Sequence, residues 1–266
     1  AIETTKIHSV CGLLAGKHNF IAIRPFRSPH HTISDVGLLG GSTNPSPGEV
    51  SLAHHGVLFL DELPEFRRGT LEVLRQPLED RCAVISRAAG TMTFPADLML
   101  VAAMNPCPCG YYGHPKRECR CPQGTIERYR QRVSGPLLDR IDIHIEAPPV
   151  DYDELTSSAP EENSATIRAR IEKVRARQAA RFGDTLRPAL NARMQPRHMR
   201  EFCQISAGCH ALLKHAMEDL HLSARAHDRI LKVSRTIADL AEVESISEDH
   251  LLEALQYRSL DRSVML

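Results

Sequence analysis

The chain has 266 residues, 42% hydrophobic and 25% charged, which is enough apolar material for one large or two smaller globular domains. Its 33 basic residues equal its 33 acidic ones, so no global field draws it to nucleic acid or a membrane surface, and no apolar stretch approaches the length of a membrane span. Four of the eight cysteines fall within residues 107–121, a clustering that fits metal binding in a reducing compartment, the cytoplasm, and excludes a disulfide framework spread over the fold.

Residues 2–14 place Ile2, Ile7, Val10, Leu13 and Leu14 on one helical face, which Gly16 ends. Residues 20–56 are rich in Gly, Pro, Ser and His and read as loops and short helical turns. So long an irregular insert ahead of a buried strand is usually functional. Its pairs His30–His31 and His54–His55 read as surface or hydrogen-bonded residues before metal ligands. The next stretch, GVLFLDELPEF from Gly56, drives four apolar residues, Val57 to Leu60, into Asp61 and Glu62. A continuous apolar run of this length fits a strand of a parallel sheet buried on both faces, and ligands of open α/β sheets bind at the C-terminal ends of such strands. This is the shape of a Walker B element. Asp61 would hold Mg²⁺, a hard cation suited to carboxylate oxygen, and Glu62 would polarise an attacking water. The competing reading is a strand ending in a polar turn, with Asp61 capping the next segment.

Residues 67–80 form a helix with Leu71, Leu74 and Leu78 on one face and a kink or frayed turn at Pro77. Residues 82–94 read as a hairpin turning at Ala89–Gly90. Residues 98–104, LMLVAAM, are a second buried-strand run that ends at Asn105. Asn105 either holds the attacking water or senses a γ-phosphate, or is a turn residue before Pro106. Cys107, Cys109, Cys119 and Cys121 then give C-x-C, nine residues, C-x-C. Four thiolates in one short loop suit a closed tetrahedral Zn²⁺ site, with His114 a spare ligand. A reduced or disulfide-linked loop and a redox pair are the alternatives. Residues 125–132 form a short basic helix, and Ile141, Ile143 and Ile145 alternate with polar residues as in a strand. Arg140 stands at its start, and the plain reading there is a salt bridge with Asp139 or a neighbour. Residues 148–163 are a linker by composition, and residues 164–182 a long polar helix. The remainder is a four-helix domain with Pro196 at a first helical position and Ser206, Ser223 and Ser247 as N-caps.

The motifs FRSPHHTISDVGLLGG, PGEVSLAHHGVLFLDELPEF, VAAMNPCPCGYYG and SGPLLDRIDIHI together resemble the magnesium-chelatase-like AAA+ ATPases, along essentially the whole chain. The fold so implied is α/β. It is a partial AAA+ core with an insert in its second helix (residues 27–50) and a hairpin before the sensor strand (83–94), followed by a helical lid. The corresponding boundaries are 1–150 for the core, 151–189 for linker and basic helix, and 190–266 for the lid. The clade includes the minichromosome maintenance helicases, whose inserts line the pore of a hexameric ring and contact DNA. The resemblance implies ATP and Mg²⁺ as ligands, Asp61 and Glu62 as Walker B, Asn105 as sensor 1, and Arg140 as an arginine finger reaching a neighbouring subunit's nucleotide. Arg225 matches the lid arginine called sensor 2, with Arg229, four residues on, the runner-up.

One departure matters. The family's P-loop, G-x-x-x-x-G-K-S/T, is absent; the single Gly-Lys, Gly16–Lys17, is followed by His18. The expectation is therefore a C-terminal portion of a longer protein, inactive alone because the phosphate cradle is missing. The function the resemblance implies is a part of a DNA-remodelling motor acting in branch migration. A magnesium-chelatase-type motor for metal insertion and a zinc-stabilised binding module without ATPase activity are the alternatives.

Overall fold

The computed structural model describes residues 1–14, 20–41, 45–87, 90–150, 162–185 and 189–258. Gly16–Lys17, the turn residue Ala89, most of the expected linker (151–161) and the last eight residues of the lid (259–266) lie outside the described residues. The chain divides into two compact units, Ala1–Ile141 and Asp142–Leu266. Among the described residues no helix is long and apolar enough to cross a membrane.

In the first unit, helix α1 (Ile2–Val10) is followed by β1 (Phe26–Arg27), α2 (Asp35–Leu39), α3 (Glu49–Leu52) and β2 (Val57–Leu60). A 3-10 turn (Leu63–Glu65) leads to α4 (Arg68–Glu72) and α5 (Arg75–Asp80). Then come β3 (Cys82–Arg87), β4 (Gly90–Pro95), β5 (Met99–Ala102), α6 (Gln123–Arg130) and α7 (Gly135–Leu138). Strands β1, β2 and β5 form a parallel sheet in that order, while β3 and β4 pair antiparallel as the expected hairpin. The middle strand sets the register: Arg27 lies opposite Leu58, and Leu60 opposite Ala102. Leu58 and Leu60 are fully buried, and on the other face Phe59 stacks on Phe26 with centroids 6.1 Å apart. Gly56 is required here. A Cβ on it would lie 1.9 Å from the Pro25 carbonyl oxygen, which accepts the Val57 N–H at 2.9 Å and starts the β1–β2 ladder. Arg27 then locks β1 to α3, donating from Nε and Nη2 to the two oxygens of Glu49 at 2.5 and 2.6 Å. Such a fork is geometrically specific as well as strong.

Four local expectations are corrected. The helix of residues 2–14 stops at Val10, because Gly12 takes φ +69°. The helix of residues 67–80 is two helices, with Pro77 in the first turn of the second, where its missing N–H costs no intrahelical bond. The run ending at Asn105 is not buried on both faces: Met99 and Val101 are exposed, because β5 is an edge of the described sheet and one of its faces is uncovered. Residues 141–146 form no strand. Ile143 and Ile145 are exposed, and no described strand runs beside them to supply a ladder.

The second unit holds α8 (Ser164–Phe182), a 3-10 turn (Asn191–Arg193), α9 (Pro196–Phe202), α10 (Ala207–Asp219), α11 (Ala224–Leu240) and α12 (Glu248–Gln256). Ser206, Ser223 and Ser247 each accept an N–H of the first turn, as their sequence positions predict. The core is apolar, built from Phe182, Met194, Leu213, Ile230 and Leu251 among others. Beside it, one carboxylate, Asp239 of α11, is buried among arginines from α8 and α11.

Candidate functional site

Parallel pairing puts the C-terminal ends of β1, β2 and β5 at one rim of the sheet, and Asp61, Glu62 and Asn105 follow the strands there. Asp61 and Glu62 leave the end of the middle strand with exposed side chains, and Asn105, also exposed, follows β5 by three residues. Two backbone bonds tie these exits together: Ala103 N–H to Leu60 O, and Leu63 N–H to Ala103 O, both 2.9 Å. Glu62 is left-handed, φ 52° and ψ 46°, and gives its N–H to Asp61 Oδ1 at 2.9 Å. A non-glycine residue in that region is uncommon and marks a built turn. Asp61 Oδ2 takes no part in that bond. Beside them is His31, which the sequence reading took as a surface or hydrogen-bonded residue and did not assign to this site; its Nδ1 lies 3.1 Å from Glu62 Oε2. Its place in an irregular insert gave no periodic signal, and only the parallel pairing of β1 with β2 brings it to Glu62.

Arg140 lies in the same unit, just past α7. Its guanidinium contacts Glu79 at the end of α5 and donates to Pro136 O at 2.7 Å. The side chain is 8% exposed, so its ion pair is with Glu79 and the guanidinium is not presented freely at an edge. Arg225 and Arg229 belong to the second unit. Arg225 is exposed in the first turn of α11, whereas Arg229 is paired with Asp142.

The four cysteines form one cluster. Cys107 Sγ is 3.4 Å from Cys109 Sγ and 3.6 Å from Cys119 Sγ, and all four sulfurs lie within 4.8 Å of one another, none in a disulfide. A tetrahedral site with Zn–S near 2.3 Å has sulfur–sulfur edges of about 3.8 Å, so the donor set fits zinc. Gly110 and Gly113, at φ +81° and +77°, let the loop double back. His114 is not among the clustered ligand atoms, and its Nδ1 accepts the N–H groups of Lys116 and Arg117. The thiols do not ionise alike. Donation from the Tyr111 N–H leads the effects that bring Cys109 down to about 6. For Cys119 the Cys121 N–H pulls downward, but desolvation and the neighbouring sulfurs push it up to about 12, and Cys121 is raised chiefly by Cys109. One thiolate thus discourages the next, and a bound dication is what removes that penalty.

The pair His54–His55 meets Glu3 of α1. His54 Nδ1 accepts the Asp97 N–H at 3.0 Å, so the ring's proton is on Nε2, facing Glu3. His55 Nε2 reaches the same carboxylate at 2.8 Å. The cluster is hydrogen-bonded, as the sequence reading prefers, since a ligating His54 Nε2 would need that proton gone.

Comparisons with known proteins show the family. Residues 1–155 match the family described as magnesium chelatase, subunit ChlI, and residues 161–258 match the C-terminal part of the same subunit. The chain belongs to the magnesium chelatase ChlI family. Within that family it is 45% identical to competence protein ComM of Haemophilus influenzae over 263 residues, 98% of this chain and 50% of ComM. It is 45% identical to YifB of Escherichia coli over 240 residues, 90% of this chain and 46% of YifB. A relative in Mycobacterium tuberculosis is 38% identical over 262 residues, 97% of this chain and 51% of its own length. The chain thus spans about half the length of these relatives. Family and fold together make the first unit a partial AAA+ core with its parallel sheet and pre-sensor hairpin, and the second a helical lid.

Proposed function

We propose that this chain is the C-terminal part of an ATP-driven AAA+ motor, working as a ring on DNA in the recombination of incoming strands. The observation that carries the reading is the pair Asp61–Glu62, exposed at the C-terminal rim of the middle strand, with Glu62 set in a left-handed turn. Asp61 would hold Mg²⁺, directly or through water. Mg²⁺ and the nucleotide supply charge neutralisation and the phosphoryl group; this chain's residues place the attacking water. Glu62 accepts its proton, and Asn105, brought alongside by the β2–β5 pairing, orients it. Arg140 serves a neighbouring subunit's site and must exchange Glu79 for phosphate to do so. Such a finger is worth roughly 10³–10⁵ in rate. Arg225, exposed in the first turn of α11, is the lid cation of this reading. The cysteine loop is a closed structural zinc site. DNA as the track, and branch migration as the outcome, follow the family resemblance and suit the competence name of the Haemophilus relative.

The phosphate cradle belongs to a preceding segment of the full-length protein. Among the described strands β5 is an edge, so its outer backbone groups suit pairing with a further strand. Phosphate release by this chain should therefore sit at background, appear in the full-length protein, and vanish again in Glu62→Gln. Turnover by the chain alone would refute the division of labour. Wild-type turnover in full-length Glu62→Gln would refute the assignment of the base.

A further inference from the structure

We propose that the cysteine cluster, loaded with zinc, sets the position of Asn105: it clamps α6 across the exits of β2 and β5 and so fixes the segment that carries Asn105 at the rim. This rests on the readings of the cluster as a zinc site and of Asn105 as the residue that orients water. The chain itself supplies the first half of the clamp. Asn105, Pro106, Cys107, Pro108 and Cys109 run directly from the exit of β5 to two of the cluster sulfurs. Each proline fixes its own φ and biases the residue before it, here Asn105 and Cys107, to extended backbone. Cys107 is 0% exposed, and its carbonyl accepts the Gly110 N–H at 3.0 Å. An arm this stiff passes the place of its sulfurs on to Asn105 with little slack.

The other two sulfurs lead into α6, which starts at Gln123 just after Cys121 and is seated by the buried Ile126 and Tyr129. The helix returns to both strand exits. Arg130, in its last turn, donates from Nε to Pro106 O at 3.2 Å, with its guanidinium carbon 4.8 Å from the centre of the Tyr112 ring. Arg132, just past the helix, donates from Nη1 to Pro64 O at 3.1 Å and to Glu65 Oε2 at 3.0 Å, in the 3-10 turn that follows Glu62. One helix therefore braces the exit of β5 through Arg130 and that of β2 through Arg132. Residues 103–122 contain no helix or strand, so no ladder holds the loop between Asn105 and α6. Four thiolates on one dication are the cross-link that closes it. What the closed loop fixes is the spacing of Asn105 from Glu62, and misplacing a reacting group by about 1 Å can cost on the order of 10²-fold in rate.

Amide hydrogen exchange in this chain tests the clamp as structure. The reporters are the Ala103 and Leu63 N–H groups, whose bonds to Leu60 O and Ala103 O join the two exits; the Val57 N–H, bonded to Pro25 O at the other end of the middle strand, is the reference. Stripping zinc should speed exchange at Ala103 and Leu63 about 2- to 10-fold, leave Val57 as it was, and be reversed when zinc is returned. Unchanged exchange at the reporters, or equal acceleration at Val57, would overturn the clamp. Arg130→Gln keeps all four sulfurs and answers if the stripped chain unfolds: it should hold zinc and still speed exchange at Ala103, and wild-type exchange there would overturn the clamp as well. In the full-length protein, with Mg²⁺ supplied, zinc removal and Arg130→Gln should each lower kcat, by up to about 100-fold, with KM for ATP unchanged; a loss carried by KM would refute positioning. The failures are distinguishable. A chain that takes up no zinc refutes the metal reading, and normal hydrolysis by full-length Asn105→Ala refutes the reading of Asn105. An inactive Asn105→Ala beside wild-type kcat after zinc removal sinks the clamp alone.

Discussion

Replacing Asp239 by asparagine should destabilise the helical unit by about 3 kcal/mol. The Asp239 side chain is 0% exposed. It accepts from Arg181 Nη1 at 2.7 Å and again from Arg181 Nη2, and from Asn191 Nδ2 at 2.8 Å, and it faces Arg235 Nη2 at 3.1 Å. The single carboxylate thus ties α8, the 3-10 turn and α11 together. Asp239→Asn keeps the volume, removes the charge and turns an N–H toward Arg181. Breaking a buried pair by removing one partner costs about 3–5 kcal/mol, since the other charge is left uncompensated. Arg181 is 13% exposed and Arg235 3%; water reaches the first a little, and Arg235 keeps the Val243 carbonyl at 2.7 Å, so the lower end applies. For a unit of this size that is about 10–15 °C in Tm. Far-UV circular dichroism during urea unfolding reads it directly. Burial alone would raise the Asp239 carboxyl, but donation from Arg181 and Asn191 outweighs it and holds the group below the ordinary carboxylate range. A depressed native pKa stabilises above the unfolded value and is lost as pH falls through the native one. The gap between wild type and variant should therefore be full at neutral pH and close below about pH 4. A loss under about 1 kcal/mol at neutral pH, or a gap indifferent to acid, would refute the reasoning.

Protein purified under reducing conditions should carry about one zinc per chain, and Cys119→Ser should lose it; a disulfide among the four cysteines in reduced protein would count against the site. In metal-free protein Cys109, brought down to about 6, should be the first of the four alkylated near neutral pH, and zinc should protect it. Gly56→Ala should cost more than about 2 kcal/mol and loosen β1, seen as faster amide exchange at Val57, because the new Cβ meets Pro25 O. In the full-length protein Arg140→Ala should bind nucleotide yet not hydrolyse it. Mixing it with Glu62→Gln should restore partial turnover; mixed rings with none would remove the support for action in trans.

The apolar run Val57–Leu60 ending in two carboxylates, the C-x-C pairs, the hairpin and the serine caps were legible in the sequence. Each is a local pattern: periodicity, spacing or a side chain bonding its own backbone. The alternating isoleucines of residues 141–146 had the same kind of pattern and made no strand, because a strand exists only where a neighbour completes its ladder. Likewise the uncovered face of β5 could not be read from LMLVAAM, since composition does not say which strands flank it. Contacts across long separations were decided by the tertiary structure alone: His31 with Glu62, Arg140 with Glu79, and Asp239 with Arg181. A charged side chain carries no record in its own segment of which opposite charge it will meet. The parallel register of the sheet and the packing of α8 on α11 choose the partner, and that choice sets whether a residue waits at the rim, is held in an ion pair, or supports the core.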